Sequence, residues 1–211
     1  MNRPPLHHDL YLIAHDQSGK PLTHQSSMAL GLAGAALLDL AVDGRVAVAR
    51  GRVAVSGDVT RSGDPVIDDM LARIAREPGD IRAPVKKVAE SAYERTRADL
   101  VAAGVLVQVT KRVMGLLPTT RYQLADGAAV VRASSGARSA VEGWKQPDAR
   151  CAALCGLIAV LRLEAELYLD HPSSQLVGRL REIARTGSRE VAELIGVVET
   201  LIAEAALSVY R

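Results

Sequence analysis

The chain has 211 residues and a mass of 22.4 kDa, which suffices for one sizeable hydrophobic core and is short for two. With 48% hydrophobic and 24% charged residues it has the proportions of a folded globular domain, which excludes disorder over most of its length. It has no Phe, one Trp and five Tyr, so it lacks the rows of rings that base-stacking nucleic-acid platforms need, and its core must be Ala, Leu, Val and Ile.

The opening Met1-Asn-Arg-Pro-Pro-Leu-His-His-Asp9 has no apolar stretch behind its one Arg and does not read as a signal peptide. A short apolar helix is expected over Leu6 to Ala14, closed by the turn Asp16-Gln-Ser-Gly-Lys-Pro21. The next helix runs from about His24 to Asp43 and ends at Gly44. Its apolar run, Met28 to Val42, is broken by Asp39 and falls short of the roughly 20 residues a bilayer requires, so a buried helix of a soluble protein is expected. Gly31, Ala33, Gly34, Ala35 and Ala36 leave so little bulk on it that another element can pack close. Val46, Val48, Val53 and Val55 alternate across Arg50-Gly51, the pattern of a hairpin.

Asp64 and Pro65 then supply a cap and a first helical position for a helix over Pro65 to Arg76. Pro78-Gly79 breaks the chain before a long helix from about Pro84 to Ala103. Val105 to Lys111 and Thr119 to Leu124 read as paired strands joined across Val113-Met-Gly-Leu-Leu-Pro118. From Ala128 onward four helices are expected: Ala128–Ala140, Pro147–Leu169, Ser174–Thr186 and Ser188–Tyr210. Cys151 and Cys155, four apart on one helix, suit small core residues in a reducing compartment better than a disulfide framework. There is no internal repeat and no linker. The expected architecture is mainly α, one globular helical domain over 1–211 with short β-hairpins, one of them protruding with an apolar tip.

No phosphate-binding loop, nucleophile elbow, zinc-protease helix or dinucleotide fingerprint occurs. Gly31-Leu-Ala-Gly34 lies inside a helix pattern and is explained by packing. Asp68 and Asp69 are neighbours that point about 100° apart on a helix, so they form no carboxylate dyad unaided. His7 and His8 are adjacent, but no third ligand stands at metal-binding spacing near them. Neither an enzyme, a metal site nor a cofactor is expected.

The net charge of +2 is unevenly spread. Between Arg82 and Arg138 ten basic residues face four acidic ones, a net +6, which leaves −4 for the rest of the chain. That asymmetry points to a polyanionic partner for the middle quarter. On the long helix Lys86, Glu90, Tyr93 and Arg97 share one face, with Lys87, Glu94 and Arg95 beside it. The hairpin tip is unusual in carrying Val113, Met114, Leu116 and Leu117 where turns are normally polar, ringed by Lys111, Arg112 and Arg121 with no acid between Asp99 and Asp126. Apolar side chains ringed by cations suit the boundary of an anionic bilayer. Two other readings of the segment stay open. One is a winged-helix-like nucleic-acid binder using Arg95 and Arg97, although Glu90, Glu94 and Asp99 on that helix repel phosphate. The other is a protein-interaction scaffold whose hairpin is buried in an oligomer.

Four separated patterns agree in order and spacing with one family. They are Gly31-Leu-Ala-Gly34 with Leu37-Leu-Asp-Leu-Ala41 and Gly44-Arg-Val46, then Ser62-Gly-Asp64-Pro-Val-Ile-Asp68-Asp-Met-Leu71, then Leu100-Val-Ala-Ala-Gly-Val-Leu106, then Gly115-Leu-Leu-Pro-Thr-Thr-Arg121-Tyr. From about Leu6 onward the chain resembles the Golgi phosphoprotein 3 family. The resemblance implies a mostly helical domain with a protruding hairpin, acting as a cytoplasmic peripheral membrane protein that recognises phosphatidylinositol 4-phosphate and serves as an adaptor. It also implies that the hairpin contributes to membrane contact and self-association, hence a homo-oligomer with an anionic lipid as partner. The family's headgroup positions fall at His24, Ala33, Glu90 and Tyr93, of which only His24 can meet a phosphate. The cations about a turn away, Lys86, Lys87, Arg95 and Arg97, are therefore expected to complete the site with His24.

Overall fold

A computed structural model describes residues 3–111 and 119–208. Its elements are α1 (Leu6–Ile13), α2 (Gln25–Val42), β1 (Val46–Ala49), β2 (Arg52–Val55), α3 (Pro65–Arg76), β3 (Gly79–Asp80), α4 (Arg82–Ala102), β4 (Leu106–Lys111), β5 (Thr119–Leu124), α5 (Gly127–Val141), α6 (Ala149–Leu161), α7 (Ser173–Gly187) and α8 (Arg189–Ser208). The mainly α architecture expected from the sequence is the one that forms.

α2 is the hub and packs against α1, α3, α4, α6 and α8. It is apolar all round because neighbours cover it all round. By length and hydropathy alone α2 could cross a membrane, but in this fold it is the central core helix. Its small residues are needed where they stand. A Cβ on Gly34 would lie 2.5 Å from Val198 Cγ2 of α8, and one on Gly31 would lie 2.8 Å from Leu161 Cδ1 of α6. The single acid in this helix, Asp39, is 7% exposed and accepts from the Leu6 N–H at 2.6 Å while pairing with Arg150 of α6. Burial pushes its carboxyl up to about 6, against the pull of Arg150.

α3 starts as its sequence requires. Asp64 Oδ1 accepts from the N–H groups of Val66 and Ile67, both at 2.9 Å, and Pro65 occupies the first turn. Val66, Ile67, Met70, Leu71 and Ile74 form its buried stripe. Asp64 Oδ2 turns the other way, to His7 and His8 of α1. Burial works to raise the Asp64 carboxyl, but these imidazoles and the α3 N–H groups hold it below the usual carboxylate range. Burial, aided by His7, pushes His8 down to about 4.

β1 and β2 pair antiparallel, Val46 with Val55 and Val48 with Val53, across a turn in which Arg50 and Gly51 both have positive φ. β3 adds a third, two-residue strand, with Val53 opposite Gly79, where the sequence showed only a break. The second sheet is the β4–β5 hairpin, in register from Leu106 with Leu124 to Lys111 with Thr119.

One expected helix is shorter in the structure. The segment 147–169 stops at Leu161 because Arg162 adopts φ 59° and the Leu163 N–H returns to the Ile158 carbonyl at 3.0 Å. A 3-10 turn over Glu164–Leu167 follows, and the change of direction puts Leu163 and Leu167 into the core. Cys151 and Cys155 are unbridged on α6, with Cys155 fully buried.

Candidate functional site

The candidate surface is built on α4 and the hairpin that follows it. The hairpin is seated on α4 through β4, and its second strand is held by stacking. The Arg97 guanidinium lies 4.1 Å from the centre of the Tyr122 ring and 5.6 Å from that of Tyr93. Tyr93 is buried beneath, where its hydroxyl meets His15 Nε2 at 2.8 Å. His15 Nδ1 is 2.7 Å from the Tyr11 carbonyl, which can only accept, so Nδ1 carries the proton and Nε2 of the neutral ring accepts from Tyr93. Burial lowers the His15 pKa and favours that neutral form. Opposite this stack the turn after α1 comes so close that a Cβ on Gly19 would stand 1.5 Å from the Tyr122 carbonyl oxygen, and Gly19 has φ +77°. Only glycine fits there.

The cations expected to bind a headgroup do not form one patch. Lys86 and Lys87 lie in the first half of α4 with side chains 57% and 63% exposed, facing Glu204 at 3.8 Å and Glu90 at 3.0 Å. Nine residues on, at 100° per residue, Arg95 is on the opposite side of the helix from Lys86. There it donates to the Pro65 carbonyl and to Asp69 Oδ2 of α3, both at 3.3 Å. Arg97 returns to the Lys86 face about 16 Å farther along the axis. It pairs with Glu94, and with its stacking on Tyr122 its side chain is only 22% exposed. His24 is the exposed N-cap residue of α2 and makes no side-chain capping bond. Of the other family headgroup positions, Ala33 and Tyr93 are buried in the core and Glu90 is exposed. On the hairpin, Arg121 is exposed on β5 and Lys111 ends β4, whereas Arg112, Val113, Met114, Leu116 and Leu117 lie outside the described residues.

The sequence reading missed an apolar surface beside the hairpin. Leu124 at its base, Val130 and Val131 of α5, and Tyr168 line an open cleft of about 800 Å³. Val131 is 58% exposed and Tyr168 is 75% exposed, with φ 48° after the 3-10 turn. The signal for Tyr168 was absent because the pattern ran one helix through it.

A sequence profile of Golgi phosphoprotein 3 (GPP34) matches residues 6–203. The chain belongs to the Golgi phosphoprotein 3 family. The matched span takes in α1 to α7, most of α8 and both sheets, so the family assignment covers the fold and its hairpin strands. Among curated proteins none matches the chain. Within this Golgi phosphoprotein 3 fold, Lys86 and Lys87 are the α4 cations most exposed to solvent, and Arg95 and Arg97 tie α4 to α3 and to the hairpin.

Proposed function

We propose that this chain is a cytoplasmic peripheral membrane protein that docks reversibly on anionic bilayers, with the hairpin tip entering the interface and lysines of α4 meeting headgroups. The observation that carries the reading is a hairpin fixed to α4 by the Arg97–Tyr122 stack, whose tip segment 111–121 holds three cations, four large apolar residues and no acid. Partial burial of Val113, Met114, Leu116 and Leu117 yields roughly 4–8 kcal/mol gross. Lys111, Arg112 and Arg121 add about 1 kcal/mol each near an anionic surface. Immobilisation offsets much of this, so one tip binds weakly and a homo-oligomer presenting several tips binds firmly.

Lys86 and Lys87 sit in exposed ion pairs, which contribute little and yield readily to a polyanion. They are the headgroup contacts in this reading, with His24 joining when protonated, and phosphatidylinositol 4-phosphate is bound for its charge as one anionic lipid among several. An adaptor role follows if the membrane-bound domain also holds a client protein. The nucleic-acid alternative is weaker, because Arg95 and Arg97 are engaged within the fold and Glu90 and Glu94 stand exposed on the same helix.

Sedimentation with vesicles differing only in anionic content tests the reading. Binding should track total negative charge, and Leu116→Asp with Leu117→Asp should abolish it while circular dichroism stays unchanged. Undiminished binding by that folded variant would refute tip insertion.

A further inference from the structure

The sequence shows two adjacent histidines without a third ligand, and the fold brings one from 56 residues away. At the start of α1, His7 is fully buried and the His8 side chain is 16% exposed. Asp64 at the start of α3 uses Oδ1 for its cap and aims Oδ2 at both rings. That oxygen is 3.2 Å from His7 Nε2 and 3.8 Å from His8 Nε2, and one ligand atom from each residue lies within 4.8 Å of the others. A tetrahedral zinc ion with bonds of about 2.0–2.1 Å has ligand-to-ligand edges of about 3.3 Å, so two of the three edges are nearly in place.

A single His7–Asp64 contact does not account for the whole arrangement. One carboxylate oxygen faces two imidazole nitrogens, and the second, His8 Nε2 at 3.8 Å, stands beyond hydrogen-bond distance. Both nitrogens of His7 and Nε2 of His8 are buried without a hydrogen-bond partner. Buried polar atoms are normally satisfied, so two imidazole nitrogens converging on one carboxylate oxygen point to a shared positive centre. The surroundings suit one. His8 and Asp64 line an open cavity of about 870 Å³, whose wall also carries Asp39, Asp43, Asp99 and Asp148 against Arg3 and Arg150. Asp99 Oδ2 is itself buried and unpartnered there.

We propose that His7, His8 and Asp64 bind a divalent transition-metal ion of the zinc class, with the fourth coordination position open to this cavity. Two imidazoles and one carboxylate are borderline donors that select zinc or cobalt over calcium or magnesium. The bound ion would clamp the start of α1 to the start of α3.

The test is titration of the untagged, chelator-treated full chain with Zn2+ by calorimetry, and with Co2+ followed by its visible absorption. One equivalent should bind, with the intense spectrum of a four-coordinate cobalt ion. Asp64→Asn keeps a capping oxygen for α3 and removes the ligand charge, and His8→Gln removes a partly exposed ring. Each should weaken binding at least tenfold, whereas His24→Gln and His171→Gln should leave it unchanged. Unfolding melts of both ligand variants establish that they fold. Absence of one-equivalent binding, less than a tenfold loss in either folded variant, or a loss in a control would overturn the site.

Discussion

Asp39 illustrates how one side chain acquires a role that local sequence does not display. In the sequence it merely interrupts an apolar run. In the structure it is a buried carboxylate paired with Arg150, 111 positions away. Burial raises its pKa to about 6, so the native state holds that proton more tightly than the unfolded chain. The stability contributed by this group is therefore complete below the ordinary carboxylate value and is lost as pH rises through about 6. That rise from the ordinary carboxylate value to about 6 sets a ceiling of about 3 kcal/mol. Asp39→Asn lacks the titration. The unfolding free energy of the wild type minus that of the variant should fall by about 1–3 kcal/mol between pH 4 and pH 7 in urea melts. A pH-independent difference would mean that Arg150 and the Leu6 N–H keep the carboxylate ionised throughout.

At the scale of elements, the α2–α8 contact sets the tolerance of the hub helix. Gly34→Ala gains about 1 kcal/mol of helix propensity. It also drives a methyl against Val198, and overpacking typically costs 1–3 kcal/mol. Net destabilisation of about 1 kcal/mol is expected. Adding Val198→Ala should cost less in the Gly34→Ala background than in the wild type, because the vacated methyls are those that clash. Gly178→Ala in α7 meets open space and should instead stabilise the fold by up to about 1 kcal/mol. Thermal melts of the four variants check all of this, and additive costs at Gly34 and Val198 would refute the clash. Elements were legible where chain chemistry marks their ends, as Asp64-Pro65 does for α3 and Gly44 for α2. They were misread where it does not: α6 ends at an arginine in a left-handed conformation, imposed by burial of Leu163 and Leu167 rather than by a stop residue.

For the whole molecule, counting charge along the chain marks a basic segment but does not tell which of its cations are exposed. Lys86, Lys87, Arg95 and Arg97 look alike in sequence, and helix phase separates them: Arg95 reaches α3 and Arg97 lies under Tyr122. That separation gives the docking proposal a discriminating outcome. Two headgroup contacts at about 1 kcal/mol each amount to roughly a 30-fold change in affinity. Lys86→Ala with Lys87→Ala should therefore weaken binding to anionic vesicles about 10- to 30-fold at low salt, and less as screening shortens the reach of exposed charge. Arg95→Ala removes one charge, as each lysine substitution does, but from a side that faces α3, so it should change vesicle affinity less than twofold while lowering thermal stability through the loss of its Asp69 and Pro65 contacts. Charge counting alone predicts comparable losses per cation removed, whereas the helix geometry predicts an asymmetry. Comparable losses in folded variants would mean that the membrane senses the summed field of α4 rather than the face that carries its lysines.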